Sequence, residues 1–261
     1  MKPLKIIIIE SSMELASKLE ASYAEIVSIA GYGATFFGAT SEGEARKLIE
    51  THWPHVLICD MSLGQESDGL LVVKNIRRDY PDLFRILASK AEYSPRNVFA
   101  KKAFFDLFFD KGELIGSNPN YVKHCAELFS ASFRINTSLQ IDETGSAYRK
   151  DYKDKSELRE LNSLLAQVTF TGHDSDTQIT PDTVRISKLA GGFSGSKVYR
   201  FNTFNSKSKL ESVPAVLKVS ERDWATAEIN NYNKFVKWGL PYTWRVDVLG
   251  IGLTKRFGAV A

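Results

Sequence analysis

The chain has 261 residues, a length that suits two domains and is tight for three. With 34 Lys and Arg against 31 Asp and Glu the net charge is +3, too near neutral to argue for nucleic acid or a membrane surface, and 43% hydrophobic with 25% charged residues excludes wholesale disorder. Two cysteines, four scattered histidines and no long apolar run exclude a disulfide framework, metal-ligand spacing, a signal peptide and a transmembrane helix, so a cytoplasmic protein is expected.

Ile6 to Ile9, bounded by Pro3 and Glu10-Ser11-Ser12, reads as a strand buried on both faces. Leu15, Leu19, Tyr23 and Ile26 then recur at helical spacing behind the cap candidates Ser11 and Ser12, which predicts a helix over 13–29. The pattern repeats with a strand over 34–39, a helix over 41–51 capped by Ser41 with Glu44 three positions on, and a strand over 56–59. A helix over 70–78, a strand over 85–88, a helix over 95–105, a strand over 107–109 and a helix over 119–133 complete the series. Such alternation demands an α/β unit, a doubly wound parallel sheet of five strands with helices on both faces.

Ligands of open parallel sheets sit beyond the carboxyl ends of the strands. Those positions hold Glu10, Asp60, Ser89 and Lys111, a carboxylate pair, a hydroxyl and a lysine suited to a divalent cation and a phosphoryl group. Each residue alone also fits a plain role: an Asp at a strand end caps turns, Ser89 suits any loop, and Phe108 suits any core. Taken in order, Leu57-Ile58-Cys59-Asp60-Met61, Asp68-Gly69-Leu70, Ile86-Leu87-Ala88-Ser89 and Phe108-Phe109-Asp110-Lys111 resemble the motifs of a response-regulator receiver domain, over 1–134 and with its flavodoxin-like fold. The resemblance implies that Asp60 accepts a phosphoryl group from a sensor histidine kinase or phosphotransfer protein. It implies a Mg²⁺ held by Glu10, Asp60 and the Ser62 carbonyl, a Lys111 that pairs with Asp60, and Ser89 and Phe108 as the switch pair. It also implies a homodimer surface on the helices 95–105 and 119–133 and the strand 107–109. Three features depart from that pattern: Ser11 stands where a second acid is usual, the loop 62–67 lacks its proline and is about one residue longer than usual, and Gly112 replaces the proline after the lysine. A weakened Mg²⁺ site and a divergent or pseudo-receiver are therefore expected.

The polar stretch 136–146 reads as the end of the first domain, and 135–176 as a linker. Within it Leu158, Leu161, Leu165 and Val168 share one face of a predicted helix over 153–168, better explained by packing on a neighbouring domain than by a coiled coil. Strands over 184–189, 197–203 and 215–219 follow, the first two joined by Gly191-Gly192-Phe193-Ser194-Gly195-Ser196, then a helix over 224–238 and a strand over 245–251. This is a small α+β domain with an antiparallel sheet, over 177–261.

The glycine-rich hairpin, Lys218 within Ala215-Val216-Leu217-Lys218-Val219, and Glu228 on the next helix resemble the N-terminal lobe of protein-kinase-like folds, in the style of aminoglycoside phosphotransferases. The resemblance implies ATP contacts from Gly191, Gly192, Ser194, Gly195 and Lys218, with Glu228 as ion-pair partner of Lys218; Glu221 is the alternative partner. No residues after Lys218 have the spacing of a catalytic Asp, a metal-binding Asn and a second Asp, so no catalysis is expected of the chain as given. The apolar end 256–261 reads as the start of a strand in a longer protein. The sequence thus points to a regulatory module in which Asp60 controls a kinase-like lobe, with a receiver-gated ATP-dependent phosphotransferase or a non-phosphorylated interaction scaffold as the alternatives.

Overall fold

The structure, a computed structural model, describes residues 3–63, 68–90, 104–133, 135–137, 139–142, 150–152, 154–169, 181–189, 195–212, 214–237 and 248–261. The chain divides into two compact units, 1–133 and 134–261.

In the first unit the strands β1 (Leu4–Ile9), β2 (Ala34–Ala39), β3 (Val56–Asp60), β4 (Phe84–Ser89) and β5 (Leu107–Asp110) form one parallel sheet in the order β2-β1-β3-β4-β5. This is the flavodoxin-like order, and its chain reversal beside β1 opens a crevice at the strand ends. The helices are α1 (Met13–Ile29), α2 (Glu42–His52), α3 (Gly69–Asp79), α4 (Lys111–Ile115) and α5 (Pro119–Ser132). Strand side chains alternate between faces, so Ile7, Ile9, Leu57, Cys59 and Leu87 line the core beneath Ala45 and Ile49 of α2 and Leu70, Val73 and Ile76 of α3. On the other face Phe84 meets Phe129 and Phe133 edge to face.

Helix starts are set by side-chain caps: Ser12 Oγ accepts from the Leu15 N–H, Ser41 Oγ from Glu44 and Asp68 from Leu70. Helix α4 has no counterpart in the sequence reading, since five residues are too few to show a period; Asp110 starts it by accepting from the Gly112 and Glu113 N–H groups. The predicted helix over 95–105 lies outside the described residues except for Phe104 and Phe105, which are not helical. At the opposite end of the sheet His55 fastens β3 to β1. The Lys5 N–H donates to His55 Nδ1 at 3.0 Å and the His55 N–H donates to the Lys5 carbonyl at 2.8 Å. Burial, and then the Lys5 charge, lowers this imidazole to about 4.

The second unit contains β6 (Gln140–Asp142), α6 (Lys155–Val168), β7 (Thr183–Lys188), β8 (Lys197–Asn205), β9 (Leu210–Glu211), β10 (Ala215–Glu221), α7 (Arg222–Asn231), β11 (Ile251–Leu253) and β12 (Phe257–Val260). Its sheet runs β11-β12-β10-β8-β7-β6, with β9 beside β8; every pairing is antiparallel except β6 with β7. Leu161, Leu164, Leu165 and Val168 of α6 pack on Val184, Ile186, Tyr199, Phe201, Leu217, Val219 and Ala259 of that sheet.

Of the stretch 135–176 expected as a linker, the described residues include α6, whose apolar stripe is buried against the sheet of the second unit, and β6, which supplies that sheet with an edge strand. Helix α7 begins two residues before the predicted 224 and ends at Asn231, continuing as a π-helical turn over Tyr232–Val236. The last strands are Ile251–Leu253 and Phe257–Val260 rather than one over 245–251, of which 245–247 lie outside the described residues. Among the described residues no helix is long and apolar enough to cross a membrane.

Candidate functional site

Parallel register lines up the strand ends of the first unit. Ile9 lies opposite Cys59, Asp60 opposite Ala88, and Ser89 opposite Asp110, so Glu10, Asp60, Ser89 and Lys111 fall along one edge of the sheet. Lys111 Nζ lies 2.5 Å from Glu10 Oε2 and 2.7 Å from Asp60 Oδ2. Glu10, Asp60 and Lys111 are 2%, 7% and 3% exposed, and two carboxylates on one ammonium leave the cluster with a formal charge of −1. A buried charge is tolerated only when paired, so this geometry ties three strand ends together.

The turn under Asp60 is equally constrained. The Gly69 N–H donates to the Met61 carbonyl at 3.0 Å, and a Cβ on Gly69 would stand 1.8 Å from the Asp60 carbonyl oxygen. No side chain fits there, which is why the Asp68-Gly69 pair opens α3. Ser62 pairs with Asp68 in an isolated antiparallel bridge. Ser89 is buried with its Oγ donating to the Lys90 carbonyl at 3.3 Å, turned to the backbone rather than to Asp60. Phe108 is half-buried against the core under α3.

Two further residues belong to the site and escape sequence reading. Tyr23 of α1 is 1% exposed, its hydroxyl has no hydrogen-bond partner among the described residues, and its ionisation is pushed far up by burial and then by the charges of Asp60 and Glu10. The Cys59 Sγ–H donates to the Asp60 carbonyl at 3.3 Å, and burial, then Asp60, raises that thiol well above its usual range. A tyrosine on an amphipathic helix and a cysteine inside a strand carry no positional signal of their own.

The donor set does not fit a divalent cation well. Glu10 Oε2 is taken by Lys111, while Oε1 accepts from Ser11 Oγ at 3.3 Å and from the Ser12 N–H at 3.4 Å. No group of three His, Cys, Asp or Glu residues among the described residues could hold a metal ion.

In the second unit Lys218 of β10 holds Glu228 of α7, with Nζ 2.7 and 2.8 Å from its two carboxylate oxygens. Both side chains are about 40% exposed. Glu221, the alternative partner, is the N-cap residue of α7 and makes no side-chain cap bond. Gly191, Gly192 and Ser194 lie outside the described residues, while Gly195 adopts φ +72°, a left-handed conformation that favours glycine. Asp151 braces the base of this hairpin: its carboxylate accepts from Lys188 Nζ at 2.5 Å and Tyr199 Oη at 2.9 Å, and its carbonyl accepts from Lys197 Nζ.

No protein-family model matches the chain, and no curated protein matches it. Solved structures similar to it include a CheY-like response regulator receiver domain protein from Methanospirillum hungatei JF-1, 15% identical with a TM-score of 0.33, covering 48% of this chain and 98% of its own. The REC domain of AraT, a response regulator from Geobacillus stearothermophilus, is 20% identical with a TM-score of 0.36, covering 48% and 95%. The phosphorylated cyanobacterial phytochrome response regulator RcpA is 14% identical with a TM-score of 0.38, covering 48% and 93%.

Proposed function

We propose that the first unit is a receiver module of the response-regulator kind, taking a phosphoryl group on Asp60 from a phosphohistidine or an acyl phosphate, and that this state regulates the kinase-like second unit. The observation that supports it is the buried contact of Lys111 with both Glu10 and Asp60 at the ends of β5, β1 and β3. An Asp60 carboxylate oxygen attacks phosphorus, the P–N or P–O bond of the donor breaks, and the leaving imidazole or carboxylate keeps the electron pair. Lys111 neutralises the charge that develops on the phosphoryl oxygens as it exchanges one carboxylate for them. The Gly69 turn, pressed on the Asp60 carbonyl, carries any shift of Asp60 into α3. Incubation with acetyl phosphate, with and without Mg²⁺, followed by intact-mass measurement tests this: one added phosphoryl group in the wild type and none in Asp60→Asn is expected. No addition under either condition would leave an interaction scaffold.

The Lys218–Glu228 pair favours a second reading for the other unit, an ATP-binding lobe in which Lys218 neutralises nucleotide phosphates and Glu228 holds it in place. Nucleotide titration checks this: binding lost in Lys218→Ala supports it, and equal or undetectable binding in both proteins counts against it.

A further inference from the structure

We infer that the ammonium of Lys111 is the resident cation of the Glu10–Asp60 site, that the site excludes divalent metal in the unmodified protein, and that Ser11 is the position whose neutrality enforces the exclusion. The inference concerns the site assigned above to phosphoryl transfer, yet it needs no transfer to occur. Three observations carry it. First, Lys111 Nζ already contacts a carboxylate oxygen of each acid, at 2.5 and 2.7 Å. A hard cation would have to take those same oxygens at shorter range. Secondly, Lys111 is 3% exposed, so an ammonium pushed off both carboxylates stays buried beside the dication, and the formal charge of the buried cluster goes from −1 to +1. Thirdly, the remaining Glu10 oxygen is occupied by the Ser11 hydroxyl and the Ser12 N–H, both donors. Ser11 thus presents a proton to Glu10 at the place where a metal needs a further anionic oxygen.

Ser11 is exposed and precedes the cap of α1, so an acid there adds charge without disturbing the core. Ser11→Asp would bring the formal charge of the cluster from −1 to −2 with Lys111 still in place, the condition under which a dication gains more than it displaces.

The test uses Mn²⁺ as the probe and no phosphoryl donor, following paramagnetic broadening of backbone amide signals in the full chain. The wild type is expected to show no selective broadening at Glu10, Ser11, Asp60 and Met61 at millimolar Mn²⁺, and Ser11→Asp to gain it, with affinity at least about tenfold higher. Selective broadening of those amides in the wild type, removed by Glu10→Gln, would overturn the exclusion. Silence in both proteins would overturn the role given to Ser11. Because metal binding is read without acetyl phosphate, a phosphorylated but metal-silent protein and a metal-binding but unphosphorylated one are told apart.

Discussion

Lys111 and Lys218 each bind carboxylates, but in opposite settings. Lys111 reaches Glu10, 101 positions back in the chain, and is sealed from water, whereas Lys218 reaches Glu228 ten positions on, with both side chains about 40% exposed. The first pairing is part of the unit's frame, because removing the cation strands two buried anions. The second is screened by solvent and contributes little to stability. The same two functional groups thus meet inside one unit and at the surface of the other, and burial sets how much each pairing contributes to stability.

The largest effect should come from Lys111→Met, expected to destabilise the first unit by about 3–5 kcal/mol in urea unfolding, with much of the loss recovered in Glu10→Gln/Lys111→Met. A loss below about 1 kcal/mol would erase the contrast with Lys218. Next comes the other end of the same sheet, where a half-buried imidazole is held neutral. His55 is lowered to about 4 from 6.5, so the unfolded chain binds more protons between those values. The stability it contributes is complete above pH 6.5 and lost as pH falls to about 4, about 3 kcal/mol at most, and His55→Asn should flatten that acid limb of the stability profile.

Gly69→Ala forces a Cβ onto the Asp60 carbonyl and should cost about 1–3 kcal/mol, with amide shift changes centred on Asp60 and α3. Tyr23→Phe removes a buried hydroxyl without a partner among the described residues and is expected to stabilise the unit by about 1 kcal/mol; a destabilised variant would reveal a partner for that hydroxyl. Smallest is Glu228→Gln, within about 0.5 kcal/mol and insensitive to salt above the Debye screening range, although it should weaken any nucleotide affinity.

The strand ends of the first unit were legible because each follows a short apolar run too buried to be anything but sheet. Ile6 to Ile9 places Glu10, and Val56 to Cys59 places Asp60. That Lys111 would reach Glu10 as well as Asp60 was not legible, since it depends on β1, β3 and β5 ending level. Helix α6 was visible as a period of leucines expected to pack on a neighbouring domain, but the strands it covers lie downstream in the chain and leave no mark on the helix sequence itself. Edge strand β6 is three residues of mixed polarity, chosen by the main chain of β7 rather than by its side chains. The Asp151 brace joins groups 37 to 48 residues apart, beyond any local pattern.

Glu160 on α6 is 1% exposed and accepts from Arg256 Nε at 2.6 Å, the Arg256 N–H at 2.8 Å and Thr254 Oγ1 at 2.7 Å, while the Asn136 N–H donates to the Ala166 carbonyl. For anyone dividing the protein to study its halves, this decides where to cut. A fragment beginning at 177 would lose Glu160, leave Arg256 without its buried anion and uncover the apolar sheet face, inviting aggregation. One beginning at 134 keeps the helix, the edge strand and their partners, so a nucleotide titration on it would speak for the second unit itself.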